Sequence, residues 1–213
     1  MRIHIIYSMK DRFYWGIMGA MIVATAASAV NVADTMTTWL LEATPVLIAV
    51  VVLCLTHKSF RLTNLLYVLI LIHALVLLYG AHYSYAQAPL GDWMSHIAGW
   101  ERNNYDKIGH IMQGFCPVIA IREVLLRKSP LRRGKWLAFI CVAIALAISA
   151  CYEMIEWAAS LTAPNDTEAF LGTQGYIWDT QSDMFCCLVG ACLSLLLLSR
   201  LHNRQLEALL SRQ

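Results

Sequence analysis

Six long apolar stretches constrain this chain more than any other feature. They run near Trp15–Val32, Trp39–Thr56, Leu62–Tyr79, Asp106–Leu126, Trp136–Trp157 and Thr180–Ser199. About 20 helical residues cross a hydrocarbon core about 30 Å thick, and each stretch is near that length. Lipid offers no partner to open backbone N–H and C=O groups, so a spanning segment closes them internally as helix. The expected fold is all-α: a polytopic membrane protein, a bundle of six transmembrane helices forming one integral membrane domain over residues 1–213. Composition agrees, because 59% of residues are hydrophobic and only 14% are charged, against roughly a quarter in soluble domains. A net charge of +2 gives no footprint for nucleic acid.

Basic residues set the expected orientation. Arg2, Lys10 and Arg12 precede the first stretch, and Lys58 and Arg61 follow the second. Arg122, Arg127, Lys128, Arg132, Arg133 and Lys135 cluster after the fourth, and Arg200, Arg204 and Arg212 end the chain. With both termini cytoplasmic, 14 of the 16 basic residues face the cytoplasm, as the positive-inside rule requires. The basic Arg127–Lys135 connection is expected to meet anionic lipid, and membrane lipids are the expected partners. Trp39, Tyr79, Tyr83, Trp93, Trp100, Tyr105, Tyr152, Trp157, Tyr176 and Trp178 are expected at the outer interface, and Tyr14, Trp15 and Trp136 at the inner one. Lys10 and Arg12 ahead of an apolar run ending Ala27-Ser28-Ala29 also fit a cleavable signal peptide, but the long charged front and Tyr14-Trp15 favour a retained anchor. The seven cysteines all fall inside apolar stretches without a Cys-x-x-Cys pair, which favours packing over disulfides or zinc.

The acidic residues divide the opposite way. Asp11, Glu123 and Glu207 fall on the basic side, where Arg122 and Glu123 are placed to pair. Asp34, Asp92, Glu101, Asp166 and Glu168 read as solvated loop groups. The rest occupy helix positions. Asp106, His110 and Gln113 are spaced i, i+4, i+7 and share one helical face, with Gly109 and Gly114 permitting close helix approach. Glu153 and Glu156 share a face near the expected C-terminus of the fifth span, where the macrodipole opposes negative charge. Two such carboxylates repel, so a proton, Lys107 or a metal ion must compensate them. Asp179 and Asp183 open the sixth span, where Thr180 as N-cap with Asp183 resembles a capping box. Glu42 starts the second span at the same depth and reaches toward the interface. Charges within a membrane usually face a partner or cavity. Four spans bringing acids to one level therefore point to a shared polar pocket, with Tyr152 as a hydrogen-bond donor. The outer segments Gly80–Tyr105 and Ala158–Asp179 are long enough to cover it as lids, turning at Gly91, Gly99, Gly172 and Gly175.

Several of these segments resemble a known family. Asp106-Lys107-Ile108-Gly109-His110, Gln113-Gly114-Phe115, Arg122-Glu123, Tyr152-Glu153-Met154-Ile155-Glu156-Trp157 and the run Phe170–Met184 are similar to the YjdF-type bacterial inner-membrane proteins. The resemblance implies a multi-pass helical protein of the bacterial inner membrane and brings no activity with it. Tyr176 stands where that family's pattern often carries an acid. The opening Asp106-Lys107-x-x-His110 is also similar to VanZ-like membrane proteins, linked to glycopeptide tolerance.

Three functions fit the pattern. In an enzyme, His110, Glu153, Glu156 and Asp183 hold a divalent metal ion, or Glu153, Glu156 and His110 act as acid and base. Asp106, Lys107, Gln113, Tyr152, Asp179, Gln181 and Glu42 then bind, and the substrate is a lipid or envelope precursor. In a carrier, the same groups relay a cation, a proton or a small ligand. In a purely structural protein, they form a satisfied network between helices.

Overall fold

The computed structural model describes residues 2–162 and 176–211, and among these every regular element is helical. The elements are α1 (Arg2–Ser28), α2 (Met36–Thr56), α3 (Asn64–Tyr83), α4 (Pro89–Ala98), α5 (Tyr105–Phe115), α6 (Pro117–Lys128), α7 (Lys135–Thr162) and α8 (Asp179–Leu210). Five segments are long and apolar enough to cross a membrane: α2, α3, α5 with α6, α7 to Ala158, and α8. Large apolar side chains stay on the outer surface of these helices, with Leu55, Phe139 and Leu196 all well exposed. In water that belt would drive aggregation; against lipid it is the ordinary outer face.

Helix limits follow local chemistry. The hydroxyls of Thr35 and Thr63 cap α2 and α3 by accepting from the N–H groups of Thr38 and Leu66. The fourth apolar stretch, expected to be one helix, is two. Pro117 occupies the first position of α6, where its missing N–H is no loss, so α5 ends at Phe115 and a new helix starts. The Gly80–Tyr105 segment, expected as a lid, is folded and holds a 3-10 turn at Tyr85–Gln87 and the helix α4. Of the other expected lid, Gly172, Gly175 and the Phe170–Gly175 part of the family-like run lie outside the described residues, as do Asp166 and Glu168.

Two cores share α3. Tyr14, Met18 and Met21 of α1 pack with Trp39, Ala43 and Val46 of α2 against Tyr67, Ala74 and Leu78 of α3. On its other side α3 sends Leu66 and Leu69 to Cys116, Val118 and Ile119, Leu137, Cys141 and Ala145 of α7, and Cys187 and Ala191 of α8. Three expected interfacial aromatics are therefore core residues. Tyr14 is buried, stacks on His57 and donates to the Leu53 carbonyl. Trp39 is buried and donates to Ser28 Oγ. Tyr105 is buried and donates to the Val76 carbonyl. Each polar tip has found a protein partner, which removes its reason to seek water.

The closest helix pair is α5 with α8, and glycines allow it. A Cβ on Gly114 would collide with the Cys187 carbonyl, and one on Gly190 would collide with the Ile111 carbonyl. The two backbones touch where a side chain would stand, the small-residue contact that lipid-embedded helices favour. Gly109 has another use, because the Tyr85 ring lies over it, 3.1 Å from where a Cβ would sit. Gly114→Ala and Gly190→Ala are each expected to destabilise the bundle by about 1–3 kcal/mol through overpacking. Gly16→Ala, with open space around that Cα, should be neutral or slightly stabilising. Thermal unfolding of the three variants in one detergent checks this, and equal melting points would contradict the assigned α5–α8 contact.

Candidate functional site

The α5–α8 contact sets the N-termini of these two helices side by side and brings their acids together. Asp106, His110, Glu153, Glu156, Asp179, Asp183 and Glu42 are all buried at this end of the bundle. They separate into two groups by what compensates them.

The first group is Asp106, Asp179 and Asp183, whose carboxylate oxygens all lie within 4.8 Å of one another. Lys107 Nζ sits among them, 2.6 Å from Asp179 Oδ1, 2.8 Å from Asp183 Oδ1 and 3.6 Å from Asp106 Oδ2. Arg102 Nη2 and Nη1 donate to Asp106 Oδ2 and Asp179 Oδ2, each at 2.9 Å. Burial works against the Arg102 charge, but Asp179, Asp106 and Asp183 outweigh it and raise its pKa. Tyr176 lies over both cations, its ring centre 5.7 Å from the guanidinium carbon and 5.3 Å from Nζ. This group is an ion-pair network with its charges answered.

The second group is His110, Glu153 and Glu156, also with ligand atoms within 4.8 Å of one another. His110 Nδ1 lies 3.0 Å from Gln113 Oε1, an acceptor, so Nδ1 carries the hydrogen. In the neutral ring Nε2 then offers a lone pair, aimed at Glu153 Oε1 3.6 Å away and Asp183 Oδ1 3.7 Å away. Glu153 Oε1 is buried and makes no hydrogen bond, while Thr180 supports the same carboxylate. The Tyr152 ring meets the His110 ring edge-on.

Several expectations need correction. Thr180 does not cap α8: Trp178 holds that position without a side-chain bond, and Asp183 turns inward to Lys107. The glutamates are not at a helix terminus, because α7 continues to Thr162 and the dipole argument, confined to the last turn, does not reach them. Glu42 is fully buried rather than interfacial, within electrostatic reach of Tyr85 and Tyr152. The Gln181 side chain is exposed, outside the buried acid groups.

Tyr85 was not read from the sequence as part of the site. It is buried over Gly109 on one side and Gly80 on the other. Burial pushes its phenol well above the ordinary value, and Tyr152, Glu42, Tyr105 and Glu156 act in the same direction. Only the glycine pair, separated by 29 residues, hinted that a large ring must fit between α3 and α5.

At the opposite end Arg122 and Glu123 do not pair. Arg122 donates to His202 Nδ1 and to Asn203 Oδ1, and His202 Nε2 lies 3.1 Å from Glu123 Oε2. Glu123 also accepts from the Thr63 N–H and hydroxyl and from Arg127. Arg127 is thereby drawn from the surface, its guanidinium 3.6 Å above the Phe60 ring. Adjacent helix residues point to different faces, so Arg122 and Glu123 do not meet directly, and His202 of α8 bridges them.

The family described as "Predicted membrane protein (DUF2238)" matches residues 13–204. The chain belongs to this family. A relative is the "Inner membrane protein YjdF" of Escherichia coli (strain K12), 49% identical over 170 residues, which cover 80% of this chain and 81% of the relative. No solved structure matches the chain. Membership in DUF2238 and the apolar outer belt agree that this is a membrane protein with several spanning helices.

Lys107→Met keeps the length of the stem and removes the ammonium among three buried carboxylates. Stability should fall by about 3–5 kcal/mol, the range for breaking a buried pair. Chemical denaturation in micelles measures it. A loss below about 1 kcal/mol, as for an exposed pair, would show that the aspartates are already neutral or hydrated.

Proposed function

We propose that this is a multi-pass protein of the bacterial inner membrane that holds a divalent transition-metal ion at the periplasmic end of six spans, with both termini cytoplasmic. The named location of the Escherichia coli relative supports the membrane. The bias of basic residues to one side supports the orientation.

One observation carries the metal reading. Glu153 Oε1 and His110 Nε2 face each other at 3.6 Å, and the buried Glu153 oxygen has no hydrogen-bond donor, although Lys107 and Arg102 stand nearby on the aspartates. Gln113 accepts from His110 Nδ1, the outer hydrogen bond that orients a metal-binding imidazole. Glu156 supplies the third donor and Asp183 lies near enough to be a fourth. One imidazole with carboxylates suits Zn, Mn or Fe better than Mg or Ca. Held by His110, Glu153 and Glu156, such an ion would supply Lewis acidity. Tyr85 and Tyr152 offer phenolic donors to an oxyanion, and Lys107 and Arg102 offer positive charge to an anionic group. That set suits hydrolysis or group transfer on a lipid or lipid-linked envelope precursor.

The carrier reading lacks the same support. Cys116, Val118, Ile119, Cys187 and Ala191 form an apolar layer between the acidic end and the Arg122–His202–Glu123 network.

Metal analysis of protein purified without chelator should find about one transition-metal ion per chain. His110→Ala and Glu153→Gln should each lower zinc affinity by tenfold or more, with about one order of magnitude being the smallest effect of a disturbed metal shell. Gln181→Ala should leave it unchanged. Equal metal content in folded His110→Ala and wild-type protein would leave the structural reading in its place.

A further inference from the structure

Helix α4 has three distinct faces. Gly91 and Ser95 are buried against the bundle. Leu90, Trp93 and Ile97, spaced i, i+3, i+7, form an exposed apolar stripe, with Trp93 and Ile97 63% and 65% accessible, and Trp100, just past the end of the helix, is exposed as well. Asp92 and His96 are exposed on the remaining arc. At about 100° per residue these arcs follow one another around the helix, so each meets a different neighbour: protein, an apolar medium and a polar one.

The inner face is fastened. Ser95 Oγ donates to the Arg102 carbonyl, and Asn103 Nδ2 donates to the Ala88 carbonyl at 2.8 Å and to Asp92 Oδ1 at 2.7 Å. The Leu90 N–H donates to the Tyr79 hydroxyl. Gly99, in the left-handed conformation with φ 69°, ends the helix and turns the chain toward Arg102. Arg102 then bonds Asp106 at the start of α5 and Asp179 at the start of α8. Immediately before Asp179, Ile177 and Trp178 are also exposed, at 86% and 65%. Arg102 thus ties together the two segments that carry the apolar protrusions beside the acidic end.

We infer that α4 lies in the plane of the membrane as an interfacial anchor, with the Leu90–Trp93–Ile97 stripe and the Trp100 that follows it inserted among the lipids at the headgroup–acyl boundary of the same bilayer that the bundle spans. The stripe is continuous in character with the lipid-facing belt of the spanning helices, and Trp is the side chain best suited to that depth. The helix itself carries no Lys or Arg, so the contact relies on apolar burial and is indifferent to anionic lipid. Ile177 and Trp178 form the second anchor beside the acidic end. The acidic end then lies at headgroup level, so a ligand of it would come from the lipid plane. That consequence rests on the proposed metal site, whereas the depth of α4 does not.

Full-length protein in nanodiscs of phosphatidylcholine tests the depth directly. Emission of the Trp93→Phe/Trp100→Phe variant is subtracted from wild type to isolate these two residues. Lipids brominated near the headgroup should quench the difference emission about twofold more strongly than lipids brominated at the chain ends, matching an insertion of about 5–10 Å. The single Trp93→Phe variant gives the same reading should the double one fold poorly. Difference emission untouched by either lipid but quenched by iodide would place the stripe in water and overturn the inference. So would a stripe shielded from both quenchers in discs that hold two copies, since a second chain would then be the occupant. Metal content measured on the same samples is a separate readout, so the two readings can fail independently.

Discussion

A carboxylate taken out of water needs a cation, a proton or a set of hydrogen-bond donors, and that requirement organises both ends of this bundle. At the acidic end Lys107 answers it for three aspartates on two helices, with Arg102 as a second link from the preceding loop. The α5–α8 glycine contact makes the arrangement possible. Only with backbones touching at Gly114 and Gly190 does a lysine on α5 reach both Asp179 and Asp183 on α8.

The two polar ends differ in how far they are satisfied. Glu123 receives donors from Thr63, Arg127 and His202, and it joins α3, α6 and α8. It is a clamp with its hydrogen bonds filled. The His110–Glu153–Glu156 group has its histidine oriented and its phenols nearby, but one glutamate oxygen faces the imidazole without a donor. Stability alone favours filling such a gap, because an unsatisfied buried polar atom typically costs about 1–3 kcal/mol. That open oxygen is the observation on which the proposed metal site rests.

The acidic end was partly legible in the residues. The i, i+4, i+7 spacing of Asp106, His110 and Gln113 requires only the helical repeat, and all three do share one face. The depth of Glu153, Glu156, Asp179 and Asp183 followed from span limits and charge bias. What could not be read was which acid meets which cation. The separation into a neutralised aspartate trio and a metal-like His–Glu–Glu trio depends on the rotation of α7 against α8, set by packing of Ala145 and Cys187 rather than by any local signal. Tyr85 was hidden for a related reason, since its entry into the site depends on space left by Gly80 and Gly109 in different helices.

By itself the sequence determined that the protein is helical and lipid-embedded, where most of its later helices begin, and that its acids gather at the end away from most of its basic residues. Those properties come from local composition and from the cost of exposing backbone or charge to lipid, which act residue by residue. Tertiary structure alone decided the burial of Tyr14, Trp39 and Tyr105 and the bridging of Arg122 and Glu123 through His202. It also decided that α4 presents a tryptophan stripe outward while holding Arg102 over the site. Each depends on distances between segments far apart in the chain, which helix rotation and close approach set and which residue order leaves open.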